Sequence, residues 1–113
     1  MHEMSIAMNI VEIVSTHVQN EGGSKVHQIE VEVGDLAGVL TDSLEFCFEA
    51  ASKNTVADGA ELKIIDIPGK GKCQECDKEF AVDSFLTLCP YCNGFSVDLI
   101  QGKELRVRSI TID

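Results

Sequence analysis

The sequence predicts an α/β protein: a small three-stranded mixed sheet with two helices, carrying an inserted, ribbon-like cysteine module. Three observations lead there. Apolar residues recur at helical spacing over 6–18 and again from residue 42. Residues 28–33 alternate strictly between polar and β-branched apolar side chains. Two Cys-x-x-Cys pairs then stand twelve residues apart between glycine-marked segments.

In the first helical segment Ile6, Ile10, Ile13, Val14 and His17 follow the i, i+3/i+4 pattern. Met4, Met8, Val11 and Val18 widen its apolar face. The run Asn20-Glu21-Gly22-Gly23-Ser24 stops it. In the strand that follows, period two puts Ile29, Val31 and Val33 on one face and Gln28, Glu30 and Glu32 on the other. One face is therefore dry and one wet, and Gly34 ends the strand.

A second helix is expected from Asp42, which has the capping-box spacing to Glu45. Leu44, Cys47, Phe48 and Ala51 share its core face, with Phe46 and Ala50 flanking. The turn Ala57-Asp58-Gly59-Ala60 leads into a strand at 61–67, which Pro68-Gly69-Lys70-Gly71 breaks. A last strand runs over 105–112, where the apolar phase slips between Val107 and Ile110; a bulge near Ser109 accounts for the slip. The strand–helix–strand unit from 28 to 67 favours a right-handed parallel crossover. The final strand is expected to return antiparallel beside 61–67. Residues 1–70 and 102–113 then form one discontinuous α/β domain, and 71–101 the inserted module.

Composition narrows the function. The 113 residues are 44% hydrophobic and 25% charged, ordinary for a folded chain, with a net charge of −10. That field repels phosphate backbones and anionic membrane surfaces and attracts cations. No apolar run approaches the roughly 18 residues of a membrane span. Residues 1–20 contain no Lys or Arg, so no secretory or transit signal is read there, and a cytoplasmic location is expected.

In a reduced compartment the pairs Cys73/Cys76 and Cys89/Cys92 read as metal ligands rather than a disulfide framework. Thiolates suit tetrahedral zinc, giving one zinc-ribbon-like Zn(Cys)4 site. Phe80, Val82, Phe85, Leu86 and Leu88 supply only a small apolar cluster, so the metal must supply much of the module's folding energy. Four thiolates leave no open coordination position for catalysis. Two lysines against five acids over 71–102 disfavour a nucleic-acid ribbon. Neither pair opens a helix after a strand, as a thioredoxin-like redox pair would.

The chain begins Met1-His2-Glu3. A free α-amine, the next amide nitrogens and the His2 imidazole can close fused chelate rings, a nitrogen-rich set suited to Ni(II) or Cu(II). Alone, a histidine at position 2 is unremarkable. Joined to the cysteine pairs it resembles the HypA/HybF family of nickel metallochaperones for [NiFe]-hydrogenase maturation, across essentially the whole chain. The resemblance implies that Met1, His2 and Glu3 bind nickel as transient cargo, and that Cys73, Cys76, Cys89 and Cys92 bind structural zinc. It also implies a maturation GTPase (HypB) and the hydrogenase large subunit as partners, with urease maturation proteins in some relatives. The expected activity is ligand exchange, not enzymatic turnover.

Other residues read more simply. His17 stands on the apolar face, roughly 22 Å along the helix from His2, too far to share one ion. His27 opens a strand, Asp42 caps a helix, and Cys47 is a small core residue. Met4 and Met8 are core or interface positions. The chain is expected as a monomer or a weak, swapped homodimer through its terminal strand.

Overall fold

The computed structural model describes residues 2–83 and 87–113. In chain order the elements are α1 (Glu3–Glu21), β1 (Val26–Gly34), α2 (Thr41–Ala51), β2 (Glu61–Ile67), β3 (Lys70–Cys73), β4 (Glu79–Ala81), β5 (Val97–Gln101) and β6 (Leu105–Ile112). They build two three-stranded sheets, β2-β1-β6 and β4-β3-β5. The chain divides into two compact units, one of 1–32, 39–65 and 106–113, the other of 33–38 and 66–105. The segment 33–38, counted with the N-terminal domain on sequence grounds, thus makes its contacts with the cysteine-bearing residues.

In the first unit, α1 buries Ala7, Ile10, Val14 and Val18, a stripe narrower than its apolar content. Ile13 and Met8 are 51% and 60% exposed, Met4 is 41% exposed, and His17 faces outward. Helix α2 packs along one side of α1, and the exposed residues lie off the buried stripe. Gly22 closes the helix in the left-handed region at φ 71°. The Gly22 and Gly23 amides donate to the carbonyls of Gln19 and Val18, a Schellman ending that a Cβ would strain.

Strand β1 keeps the expected phase, with Ile29, Val31 and Val33 buried. On its wet face Gln28 pairs with Glu61, and Glu30 with Lys63. Those pairs advance in step, the parallel sense of the crossover. Against β6, Glu32 meets Arg106, Glu30 meets Ser109 and His27 meets Asp113, the antiparallel sense. Three residues of β6 advance while β1 advances two, the excess that a bulge near Ser109 introduces. The final strand therefore lies beside β1, not beside β2 as expected. Once α2 carries the chain across to β2, the other edge of β1 is open. Glu30 and Glu32 there take the polar partners that β6 brings.

Helix α2 buries Leu44 and Phe48, and Cys47 is half-buried. Leu40, not Asp42, is its N-cap, and no side chain caps it. Asp42 lies exposed in the first turn, where a carboxylate favours the helix dipole without bonding an amide. Phe46 is 74% exposed rather than flanking the core, because its position on the helix is opposite Leu44.

Candidate metal centre

The second unit is organised by its two Cys-x-x-Cys turns, which repeat one local design. The Cys73 amide donates to the Lys78 carbonyl at 3.0 Å and the Asp77 amide to the Cys73 carbonyl at 2.9 Å. In the second turn the Cys89 amide donates to Gly94 at 2.8 Å and the Asn93 amide to Cys89 at 2.9 Å. Asp77 and Asn93 occupy the same place with φ of 61° and 60°, a left-handed conformation that Asp and Asn tolerate best among non-glycine residues. Antiparallel pairing of β3 with β4 and β5 sets the first turn at the end of a strand. Leu36, Phe80 and Val82 pack with Cys73 and Cys89. Leu88, expected in that cluster, is 58% exposed. Phe85 and Leu86 lie outside the described residues.

All four sulfurs lie within 4.8 Å of one another. Two pairs run crosswise between the turns, Cys73 to Cys92 and Cys76 to Cys89, each at 3.6 Å. A tetrahedron with metal–sulfur arms of about 2.3 Å has edges of about 3.8 Å, so one ion fits among them. The Glu75 amide donates to Cys73 and the Tyr91 amide to Cys89, each at 3.4 Å, and the Lys78 and Gly94 amides lower the thiol pKa of Cys76 and Cys92 in the same way. These donors spread negative charge off the thiolates, as a tetrathiolate needs. The donor set fits a closed four-coordinate metal.

The thiols also show why a cation belongs there. Burial pushes the Cys89 thiol up, but amides of Tyr91 and Cys92 and the neighbouring thiols outweigh it and bring it to about 7. For Cys92 the Gly94 amide pulls down, yet the Cys73 thiol, burial and the other two cysteines push it to about 12. Cys76 is also raised; the Lys78 amide lowers it, but burial and the Cys89 and Cys73 thiols prevail. One thiolate forms readily and opposes the next. A divalent ion removes that opposition.

The other predicted site lies at the start of α1. His2 is exposed and is the helix N-cap, with extended backbone at φ −85° and ψ 99°. Its carbonyl accepts the Ile6 amide at 3.2 Å. The first amides of a helix have no intrahelical acceptor, so those of His2 and Glu3 are not committed to α1. Met1 lies outside the described residues. The Glu3 side chain has a partner of its own: its Oε2 accepts the Leu40 amide at 3.3 Å. The N-cap of α2, bare of any side chain of its own, is thus served by α1. No local signal in the sequence joins positions 3 and 40. Among the described residues His17, His27 and Asp42 join no group of three metal-ligating side chains with His2.

A family model described as "Hydrogenase/urease nickel incorporation, metallochaperone, hypA" matches residues 1–112. The chain belongs to the HypA family. Two proteins named hydrogenase maturation factor HypA, from Chlorobaculum tepidum and Geotalea uraniireducens, are 50% and 45% identical over 113 residues, the whole of each chain. The solution structure of the Ni metallochaperone HypA from Helicobacter pylori is similar in fold at a TM-score of 0.71. It is 23% identical and is matched over 99% of this chain and 97% of that one. A second solution structure of a HypA protein reaches 0.76 at the same identity. HypA proteins are metallochaperones, maturation factors rather than enzymes.

Proposed function

We propose that the protein binds Ni(II) through Met1, His2 and Glu3 and delivers it for [NiFe]-hydrogenase maturation. Cys73, Cys76, Cys89 and Cys92 hold a structural zinc. The observation that carries this reading is the contrast between two donor sets. Four sulfurs within 4.8 Å of one another, the buried Cys73 and Cys89 each with an amide donor, form a cage with no free position, suited to a resident ion. His2 is an exposed side chain at a helix start whose neighbouring amides are uncommitted, suited to an ion that must leave again. Ligands at a chain end are few and labile, which permits handover; a closed tetrathiolate resists it. On this reading nickel belongs to the α/β unit that holds α1, and zinc to the unit that holds the four cysteines.

Family membership supports partners in the same pathway: the GTPase HypB, the hydrogenase large subunit and, for some substrates, the urease maturation proteins. A cytoplasmic location, and a monomer or a weak, swapped homodimer, belong to the same proposal. The net charge of −10 favours cationic cargo and disfavours nucleic acid.

The deciding experiment is isothermal titration of the untagged, zinc-loaded protein with Ni(II). His2→Ala should abolish nickel binding while zinc content and far-UV circular dichroism stay unchanged. One residue added before Met1 should weaken nickel sharply, because the chelate uses the terminal amine, whereas a C-terminal tag should not. Normal nickel binding by His2→Ala would remove the proposed site.

A further inference from the structure

The four cysteines are unequal in their access to solvent, and a carboxylate stands beside the most accessible one. Cys73 and Cys89 are fully buried, Cys76 is half-buried and Cys92 is exposed. Glu75, between the two cysteines of the first turn, is exposed and reaches across to the second turn. A Cβ built on Gly94 would lie 1.8 Å from Glu75 Oε2 and 3.2 Å from Cys92 Sγ, so oxygen and sulfur are at most 5.0 Å apart. The carboxylate occupies space that exists because residue 94 has no side chain. Of the other charged groups of this turn, Lys78 lies over the Tyr91 ring at 4.7 Å, and Asp77 is the left-handed residue that closes the turn.

We propose that metal enters and leaves the four-cysteine centre at its Cys92 corner, with Glu75 as the transient oxygen ligand. An incoming aqua ion exchanges one water for a Glu75 carboxylate oxygen. The buried sulfurs then bind, and Cys92 closes the cage last, each thiol giving its proton to water as its metal–sulfur bond forms. Departure reverses the order: Cys92 takes a proton and lets go, and Glu75 holds the ion while a stronger acceptor displaces the remaining sulfurs. The inference rests on the proposal that these cysteines hold zinc. It adds which corner opens and which neighbouring side chain assists.

The test follows zinc transfer in both directions on the full chain, by stopped-flow absorbance with a chromophoric chelator. Glu75→Gln removes the charge. Gly94→Ala keeps the charge but displaces the flexible carboxylate from its place. Asp77→Asn removes a charge from the same turn with a residue that tolerates its backbone. Loading and release should both slow by about fivefold or more in Glu75→Gln and Gly94→Ala, with one zinc per chain retained. Asp77→Asn should stay within about twofold of the parent. Equal slowing in Glu75→Gln and Asp77→Asn, with Gly94→Ala unaffected, would mean bulk charge rather than position and overturn the proposal. Independently, alkylation of the zinc-loaded parent, mapped by mass spectrometry, should reach Cys92 first and Cys73 and Cys89 last. First modification at Cys73 or Cys89 overturns the route. A parent chain that takes up no zinc removes the reading beneath it, an outcome distinct from altered rates.

Discussion

The two compact units solve the same folding problem with different materials. The first buries Ala7, Ile10, Val14, Val18, Val26, Ile29, Val31, Leu44 and Phe48, contributed by two helices and the central strand, and Ala57 from the turn before β2. Among the described residues the second has Val33, Leu36, Phe80 and Val82, and its other buried apolar positions there are Cys73 and Cys89, two of the candidate ligands. Where apolar area is scarce, a metal replaces it as the source of cohesion. The difference teaches where each unit should be vulnerable: one to cavities, the other to loss of the ion proposed for it.

The largest effect should therefore come from Cys73→Ser or Cys89→Ser. Either should lose the metal and the exchange protection of 66–105, while amides of α1 and β1 keep theirs, as hydrogen exchange would show. A strong chelator should do the same to the parent chain. If both units melt together, the comparison is wrong and the first unit depends on the second. Lowering the pH should act in the same direction. The Cys92 thiol sits near 12 and Cys76 is raised, so at neutral pH both are protonated without metal, and binding must expel those protons. Metal affinity should consequently rise with pH and fall on acidification, measurable by competition titration.

In the first unit Leu44→Ala should cost about 2–5 kcal/mol, the range for a fully buried leucine, with metal content unchanged. Denaturant melts followed by far-UV circular dichroism would read it, and an equal loss of metal would blur the distinction between the units. A smaller effect is expected from Glu3→Ala, about 0.5 kcal/mol, through loss of the bond to the Leu40 amide at the uncapped start of α2. Because nickel is assigned to the Glu3 main chain, its stoichiometry should survive that change.

The smallest effect belongs to the end of β6. The His27 ring and the Ser24 hydroxyl hold the Asp113 carboxyl below the usual carboxylate range. A depressed carboxylate stabilises the folded state above its ordinary titration range, and that contribution disappears as pH falls through the folded value. Asp113→Asn should flatten the acid limb of the stability profile slightly and leave the neutral plateau nearly unchanged, since the group is half exposed.

Much of this was legible in the chain itself, and the legible part shares one property: it is local. The spacing of Cys73, Cys76, Cys89 and Cys92 announced the group of four sulfurs that come together, because a Cys-x-x-Cys turn is closed by hydrogen bonds spanning four or five residues. Period two determined the buried face of β1, and the phase slip in β6 announced its irregularity. What only the tertiary structure decided depends on partners distant in sequence. The partner of β6 proved to be β1 because that edge was open and lined with Glu30 and Glu32. Ile13, Phe46 and Leu88 proved exposed because burial depends on which neighbours arrive, not on a residue's own hydrophobicity. The Glu3 carboxylate against the Leu40 amide, and the Glu75 carboxylate in the space at Gly94, join residues that no periodicity connects. Local spacing sets which donors can act together; long-range packing sets which of them face solvent and what stands beside them.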